Sequence, residues 1–209
     1  MNLNQSTSTE IEDILLVCND VIKKDIDALN DLKSFIDPKN LQKAYKIIMN
    51  CQGVVLITGS GTSSTIARRL AHIFTCSGVP SYFLDAGQSQ HGYSAIVTEK
   101  DVLIGFSRGG ETDEVNFLAR IAKKKGAKVI SILENAKSTF ATLSDVYLVG
   151  AVKPDNEPID TVPLTNTIVQ AALGDILCAA INKNKGFCPK DFGEFHPGGA
   201  VGKRLSTLE

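Results

Sequence analysis

Five short apolar runs, rich in β-branched and aromatic residues, are the feature that most constrains how this chain can fold. Each run is four or five residues long and uncharged, which is typical of strands buried on both faces. Helical patterns at about 64–77, 112–125 and 138–143 separate most of them, and a longer one covers about 165–184. This alternation predicts an α/β fold, a parallel sheet with helices on both faces. The predicted strands are residues 54–57, 81–84, 102–106, 129–133 and 146–149.

A long amphipathic helix precedes this sheet. Residues 9–36 carry apolar side chains at helical spacing, and Asp37-Pro38 interrupts the pattern before a second helix at 41–49. We therefore predict an N-terminal helical segment, residues 1–40, followed by one α/β domain, residues 41–209. The apolar stripe predicts that the segment packs on the domain or on a neighbouring subunit.

The charge balance and the termini exclude several classes of protein. The formal net charge is −1 with acidic and basic residues interleaved, which argues against a nucleic-acid partner. The polar N-terminus lacks an apolar signal region, and we expect no later stretch to be long and apolar enough to span a bilayer. We therefore expect a cytoplasmic protein without a membrane partner. The five scattered cysteines form no CxxC pair, so neither a disulfide framework nor a zinc site is predicted.

Two polar loops follow predicted strands at the edge where open parallel sheets bind ligands. The first, residues 58–65, has the sequence TGSGTSST, and the second, residues 107–112, has the sequence SRGGET. Glycines let each backbone turn sharply and approach a ligand, and hydroxyl groups stand where a helix begins. Free N–H groups, the helix dipole and hydroxyl donors together predict a site for a phosphate monoester. The candidate binding residues are Gly59, Ser60, Gly61, Thr62, Ser63, Ser107, Arg108, Gly109, Gly110 and Thr112.

Other interpretations of these loops remain open but are weaker. Serine, threonine and glycine are also ordinary residues of helix caps and turns. Residues 59–61 open like a dinucleotide-binding fingerprint, but Ser64 stands where a third small residue is needed, and Asp85 is the nearest acid for a ribose. A P-loop is excluded because the chain has no suitably placed Gly-Lys-Ser/Thr.

Few residues are candidates for proton transfer. Glu111 lies inside the second loop, where its carboxylate can serve as a base; the alternative is that it caps the helix beginning at Thr112. His91 and His196 lie in irregular segments flanked by glycine. An imidazole that titrates near neutral pH suits ring opening and proton transfer between sugar oxygens, whereas binding of backbone carbonyls is the structural alternative.

The order of these motifs resembles the SIS (sugar isomerase) domain of the arabinose 5-phosphate isomerases. A GxGxS loop after a strand, a turn with the sequence SQHG, an SRGGET loop similar to SxSGET and a terminal HPGG occur in that order, and the resemblance runs from Lys43 to Leu205. It implies a doubly wound, five-stranded parallel sheet that assembles into homodimers or homotetramers with sites shared between subunits. It further implies interconversion of arabinose 5-phosphate and ribulose 5-phosphate through an enediol, without a required metal or organic cofactor.

The resemblance also implies roles in phosphate binding. It places the phosphate on Ser63, Ser107 and Thr112, supported by the backbone of Gly61, Gly109 and Gly110. Three positions depart from the family pattern: Thr62 replaces a lysine, and Arg108 and Gly109 replace an asparagine and a serine. Arginine binds phosphate in a bidentate manner, so Arg108 would restore the lost positive charge.

For catalysis, the resemblance implies Glu111 as the base, with His196 and His91 as partners in proton transfer or ring opening. Asp155 lies where the family has a second catalytic glutamate, in a segment that otherwise diverges. Asp85 and Gln88 replace a histidine and a glutamate of the family, and the regulatory CBS domains of longer members are not expected here.

Two classes of function therefore compete. The first is an aldose–ketose isomerase of a phosphorylated pentose, hexose or amino sugar. The second is a non-catalytic protein that senses a sugar phosphate, which the departures in both loops favour.

Overall fold

A five-stranded parallel sheet forms the centre of the protein in a computed structural model that describes residues 3–205, with side chains from residue 10 onward. The strands lie in the order β2-β1-β3-β4-β5, and each neighbouring pair is parallel. The chain moves from β1 to one side and then returns to the other, so the fold is doubly wound, as predicted. The strands are β1 (Val55–Gly59), β2 (Ser81–Phe83), β3 (Val102–Phe106), β4 (Lys128–Leu133) and β5 (Val146–Val149).

The described helices are α1 (Leu3–Phe35), α2 (Pro38–Met49), α3 (Thr62–Cys76), α4 (Ala86–Ser89), α5 (Asp113–Lys125), α6 (Thr139–Leu143), α7 (Leu164–Lys185), α8 (Pro189–Phe195) and α9 (Gly199–Leu205), with 3-10 turns at Tyr93–Ile96 and Pro154–Asn156. Successive side chains of each strand point to opposite faces of the sheet, and helices cover both of these faces. Ile57 and Ile104 join the core formed with α1, α2, α3 and α7, whereas Leu56 and Leu103 join the core formed with α4, α5 and α6.

The second helix begins earlier than the prediction placed it. Asp37 accepts a hydrogen bond from the backbone N–H of Lys39 at 2.8 Å, and Pro38 occupies the first helical turn, where its missing N–H has no cost. The Asp37-Pro38 pair therefore starts α2 as well as ending α1. Similarly, the tail after α7, residues 186–205, for which no helix was predicted, contains α8 and α9.

Helix α7 corrects the expectation that no stretch is apolar enough to cross a bilayer. Its 22 residues pass a length and hydropathy test for a membrane span, with a mean hydropathy of 1.5, alone among the helices of the described residues. Half of the 18-residue stretch that passes this test is buried, because Val169, Leu173 and Leu177 pack against the sheet. The apolar character of α7 is therefore that of a core helix, and the cytoplasmic location stays a prediction.

Helix α1 packs through its C-terminal half and leaves an apolar stripe exposed. Ala28 and Leu32 are buried in the core, and the Thr165 hydroxyl donates to Asp25 at 2.6 Å. By contrast, Ile14 is 62% exposed and Leu16 is 67% exposed. The proposed boundary between helical segment and domain stays a prediction, and its outer limits at residues 1 and 209 lie outside the described residues.

Helix α7 also connects the two edges of the sheet. We call the edge at which the strands end the carboxyl edge and the opposite one the amino edge. The start of α7 lies at the carboxyl edge, where the Asn166 side chain donates to Glu134, just after β4, at 2.7 Å. Its C-terminal half reaches the amino edge, where Cys178 Sγ lies 3.4 Å from the hydroxyl oxygen of Ser77, just before β2. A helix of this length spans about 33 Å, so the tail that follows starts far from the polar loops.

Candidate functional site

The two polar loops meet at the topological switch point, between the carboxyl ends of β1 and β3. These strands are paired along their whole length, from Val55 with Val102 to Gly59 with Phe106. Their following loops are therefore neighbours, as the sequence predicted. A crevice at this position is where open α/β sheets bind ligands.

The first loop brings the start of α3 close to the strand and leaves it open. A Cβ atom on Gly59 would lie 2.7 Å from the Ser63 carbonyl oxygen, so only glycine allows this approach. Gly61 precedes the helix with a φ of 55°, a Cβ added to it would meet nothing within 4 Å, and it provides no side-chain cap. The first turn of α3, with Thr62 and Ser63, therefore offers uncapped N–H groups and the positive end of the helix dipole.

The second loop is held more tightly. Ser107 is buried, and its Oγ lies 3.0 Å from Oγ1 of Thr112, the residue that precedes α5. Gly110 has a φ of 73° and packs against the Ser138 side chain, where any Cβ would clash. The Gly110 carbonyl oxygen accepts the Phe140 N–H at 3.0 Å, so α6 is fastened to this loop. Two hydroxyl groups, Ser107 and Thr112, are thus preorganised at the switch point.

Glu111 is exposed, and its carboxylate faces α6 rather than its own helix. Its Oε1 accepts the backbone N–H of Thr139 at 2.8 Å, so the alternative that it caps the helix starting at Thr112 is wrong. Hydrogen bonds from the Thr139 hydroxyl and N–H lower the pKa of Glu111 below its ordinary value of 4.5. The group is therefore an ionised carboxylate at neutral pH.

Glu114 is a site residue that the sequence interpretation missed. The Ser60 hydroxyl donates to its Oε1 at 3.0 Å, which joins the first loop to the first turn of α5. An acid in the first turn of a helix is usually explained by its favourable interaction with the helix dipole. That explanation gave no reason to expect a contact with the first loop. The position of Glu114 three residues after Glu111, on the helix that leaves the second loop, was the available indication.

Arg108 has an internal partner. Its Nε donates to Glu134 Oε2 at 3.1 Å, and the other oxygen of Glu134 accepts from the Asn166 amide. The Arg108 side chain is 40% exposed, so a ligand can reach it, but its charge is already paired. Phosphate binding by Arg108 stays a prediction that must compete with this ion pair.

The remaining predicted residues occupy two different parts of the protein. His91 and Asp155 are exposed in connections that leave the carboxyl edge, after β2 and β5 respectively. His196 lies after α8, in the tail that begins at the amino edge. Its ring stacks on Phe192 with centroids 3.7 Å apart, and its Nδ1 lies 3.0 Å from the Phe192 carbonyl oxygen, as a structural histidine would. Within one subunit, the tail containing His196 starts far from Glu111.

Fold and site define a doubly wound α/β protein with two polar loops, rich in glycine and hydroxyl groups, at its switch point. No group of three or more His, Cys, Asp or Glu residues that could hold a metal ion occurs in the described part of the chain. The sequence model of the SIS domain matches residues 48–174, more than half of the chain. The chain belongs to the SIS domain family.

Sequence relatives include two proteins of Escherichia coli. The arabinose 5-phosphate isomerase KpsF is 35% identical over 180 residues, covering 86% of this chain and 55% of KpsF. The arabinose 5-phosphate isomerase KdsD of strain K12 is 33% identical over 186 residues, covering 89% of this chain and 56% of KdsD. The chain thus spans about half the length of these relatives.

Solved structures similar to this chain agree with its fold. The protein c3406 of E. coli CFT073, in complex with arabinose 5-phosphate, superposes with a TM-score of 0.82 at 28% identity, covering 94% of this chain and 100% of c3406. A protein of Listeria monocytogenes to which sugar-phosphate isomerase activity has been ascribed gives a TM-score of 0.85 at 27% identity, covering 88% of this chain and 97% of that protein.

Proposed function

We propose that the protein is an aldose–ketose isomerase of a phosphorylated sugar, of the type that interconverts arabinose 5-phosphate and ribulose 5-phosphate. The observation that carries the proposal is the juxtaposition of an uncapped helix start, two facing hydroxyl groups and an ionised carboxylate at one switch point. The two arabinose 5-phosphate isomerases among the relatives support this choice of substrate.

In the proposed reaction, the phosphate binds to the N–H groups at the start of α3 and to the hydroxyls of Ser107 and Thr112. Glu111 removes the proton from C2 of the open-chain aldose, and the electrons move into an enediol. The proton returns to C1, while a hydroxyl proton passes from O2 to O1, so no external electron acceptor is needed. His91 and Asp155, on the same edge, are the proposed groups that open the ring or move protons between the oxygens.

His196 requires a second subunit in this proposal. Because α7 separates its tail from the carboxyl edge of its own sheet, we place His196 in the site of a neighbouring copy. Its Nδ1 can donate to the Phe192 carbonyl, which leaves Nε2 to exchange protons with substrate. The exposed apolar stripe of α1 offers a surface on which a homodimer or homotetramer can form.

Complementation between inactive variants tests the shared site. Glu111→Gln and His196→Asn should each be inactive as pure proteins. Co-expressed chains should regain about a quarter of wild-type turnover, because random pairing in a dimer creates one intact site in each mixed pair. An inactive mixture, with mixed oligomers demonstrated by affinity tags and mass spectrometry, would contradict a site shared in this way.

A second candidate function is a sugar-phosphate sensor without catalysis. Thr62 stands where the resembled isomerases have a lysine, and the charge of Arg108 is paired with Glu134. The loops therefore carry less free positive charge than the isomerase pattern provides. Binding without turnover is the property that would distinguish this candidate.

A panel of arabinose, ribulose, fructose and glucosamine phosphates separates these functions. NMR reports isomerisation, and thermal shift reports binding, which at a ligand concentration of about 100 times Kd stabilises the folded state by about 2.7 kcal/mol. Glu111→Gln should lower turnover by about 10²–10⁴-fold and keep binding, because only proton transfer is lost. Asp113→Asn, an exposed acid nearby, is the control. Retained turnover in Glu111→Gln would contradict the assignment of Glu111 as the base.

A further inference from the structure

A cavity of about 610 Å³ opens at the amino edge of the sheet, opposite the two polar loops. Three segments converge on it: the outer face of α2 with the turn that follows, the turn before β3, and Lys128 at the start of β4. None of the residues proposed for the isomerase site lines it. Cavities of this size accommodate small-molecule ligands.

The lining carries a strong local excess of positive charge. Five lysines face two carboxylates, Glu99 and Asp101, a net excess of three positive charges in a chain whose overall charge is −1. Asp101 is buried, and its two oxygens accept the N–H of Val54 at 2.8 Å and both the N–H and the hydroxyl of Thr98 at 2.7 and 2.8 Å. The Asp101 carboxylate therefore stabilises the turns beside the cavity through these hydrogen bonds. The five lysines are Lys39, Lys43, Lys46, Lys100 and Lys128.

The five lysines differ in their partners. Lys43 donates to the Asp145 carbonyl oxygen at 2.6 Å, and Lys128 lies 3.7 Å from the Asp145 carboxylate. For Lys39, Lys46 and Lys100, no carboxylate lies within 4 Å among the side chains that the structure describes. Helix α2 also presents its lysines at spacings of four and three residues, where like charges repel and destabilise a helix. A bound anion would relieve this repulsion.

We propose that this cavity binds a small molecule carrying a chain of two or more phosphate groups. A cleft lined by one sign of charge concentrates ligands of the opposite sign, and ammonium groups from both α2 and the strand ends can contact successive phosphates. The apolar side chains of Ile47 and Val102 also line the cavity and can contact an organic group attached to the chain. Inorganic polyphosphate and nucleoside polyphosphates share this chemistry. The site is independent of the proposed isomerase reaction.

Titration calorimetry with tripolyphosphate, ATP and, as a monophosphate control, AMP tests the proposal. We expect saturable binding of tripolyphosphate or ATP, weaker binding of AMP, and affinity that falls as salt is added. Tighter binding of ATP than of tripolyphosphate would favour a nucleoside polyphosphate, and equal binding would favour the phosphate chain alone. Failure of both to bind would overturn the proposal, whether or not the protein isomerises sugars.

A charge-matched pair of variants localises the binding. Lys46→Gln/Lys100→Gln should raise Kd about tenfold or more, because two unpaired charges leave the cavity. Lys124→Gln/Lys190→Gln removes the same charge from exposed positions outside the cavity and should leave Kd within about twofold. All four lysines are exposed, so both proteins should keep their melting temperatures without ligand. Equal weakening in both variants would overturn the site, because it would indicate diffuse attraction.

Discussion

The two loops at the switch point have similar compositions but very different surroundings. Gly61 in the first loop faces open space, and no side chain caps the helix behind it. Gly110 in the second loop packs directly on Ser138, and Glu111 beside it is bound to Thr139. Each loop thus contains a glycine with positive φ, but only the glycine of the second loop is enclosed by neighbouring side chains.

This difference indicates a division of labour. The second loop is a preformed scaffold, since α6 fixes its backbone and the Ser107–Thr112 pair is already assembled. The first loop has no side-chain cap on α3, and in the proposed function its backbone N–H groups bind the ligand. The hydrogen bond from Ser60 to Glu114 connects the first loop to α5, which follows the second loop, and a ligand that binds between the loops would strengthen this connection.

Substitution of the two positive-φ glycines should give the largest difference in stability between the two loops. Gly110→Ala should lower the free energy of unfolding by about 3–5 kcal/mol, because the new methyl group clashes with Ser138 in addition to the backbone strain. Urea unfolding measures this loss. Gly109→Ala adds a methyl group that meets nothing within 4 Å at a residue without positive φ, and it should cost less than about 1 kcal/mol.

Gly61→Ala tests the open loop by the same measurement. The φ of 55° and ψ of −132° at Gly61 are unfavourable for alanine, but no neighbour lies within 4 Å of the added methyl group. We expect a loss of about 1–3 kcal/mol, from backbone strain alone. A loss equal to that of Gly110→Ala would show that the two loops are equally enclosed.

The link between the loops should affect ligand binding more than folding. Glu114→Ala removes the acceptor of the Ser60 hydroxyl, so the first loop is no longer held toward α5. We expect Kd for the sugar phosphate to rise about tenfold, equivalent to about 1.4 kcal/mol. Asp113→Ala removes the same charge from the same helical turn, where Asp113 is exposed, and should change Kd little. Calorimetry compares the two; equal effects would mean that charge, rather than the link, matters.

The smallest expected effect is on the titration of Glu111. Its pKa is lowered in the folded protein, so its contribution to stability is present above its ordinary value of 4.5 and is lost as the pH falls through the native pKa. Thr139→Val removes the hydroxyl donor and should move the Glu111 pKa back toward 4.5, as followed by carboxyl-carbon NMR. Thr142→Val, one turn further along the chain, should leave it unchanged. An unaltered Glu111 titration in Thr139→Val would contradict this cause.

Most of the fold followed from local patterns. The five strands and the helices α3, α5, α6 and α7 lie within a few residues of their predicted positions, because uninterrupted apolar runs and helical periodicity both report burial. The short helices α4, α8 and α9 were not predicted. These three helices are four to seven residues long, and so few turns make helical periodicity a weak signal; among helices of this length, only α6 was predicted.

Sequence patterns alone were sufficient to predict that two candidate phosphate-binding loops lie at the same edge of the sheet, because the carboxyl ends of parallel strands meet there. Which side chains face each other is visible only in the folded protein: Arg108 pairs with Glu134, 26 residues away, and Ser60 with Glu114, 54 residues away. It also placed the start of the His196 tail at the opposite edge. The reason is physical, since periodicity reports which face of an element is buried, whereas a hydrogen bond depends on distances of a few ångströms between elements, which only packing fixes.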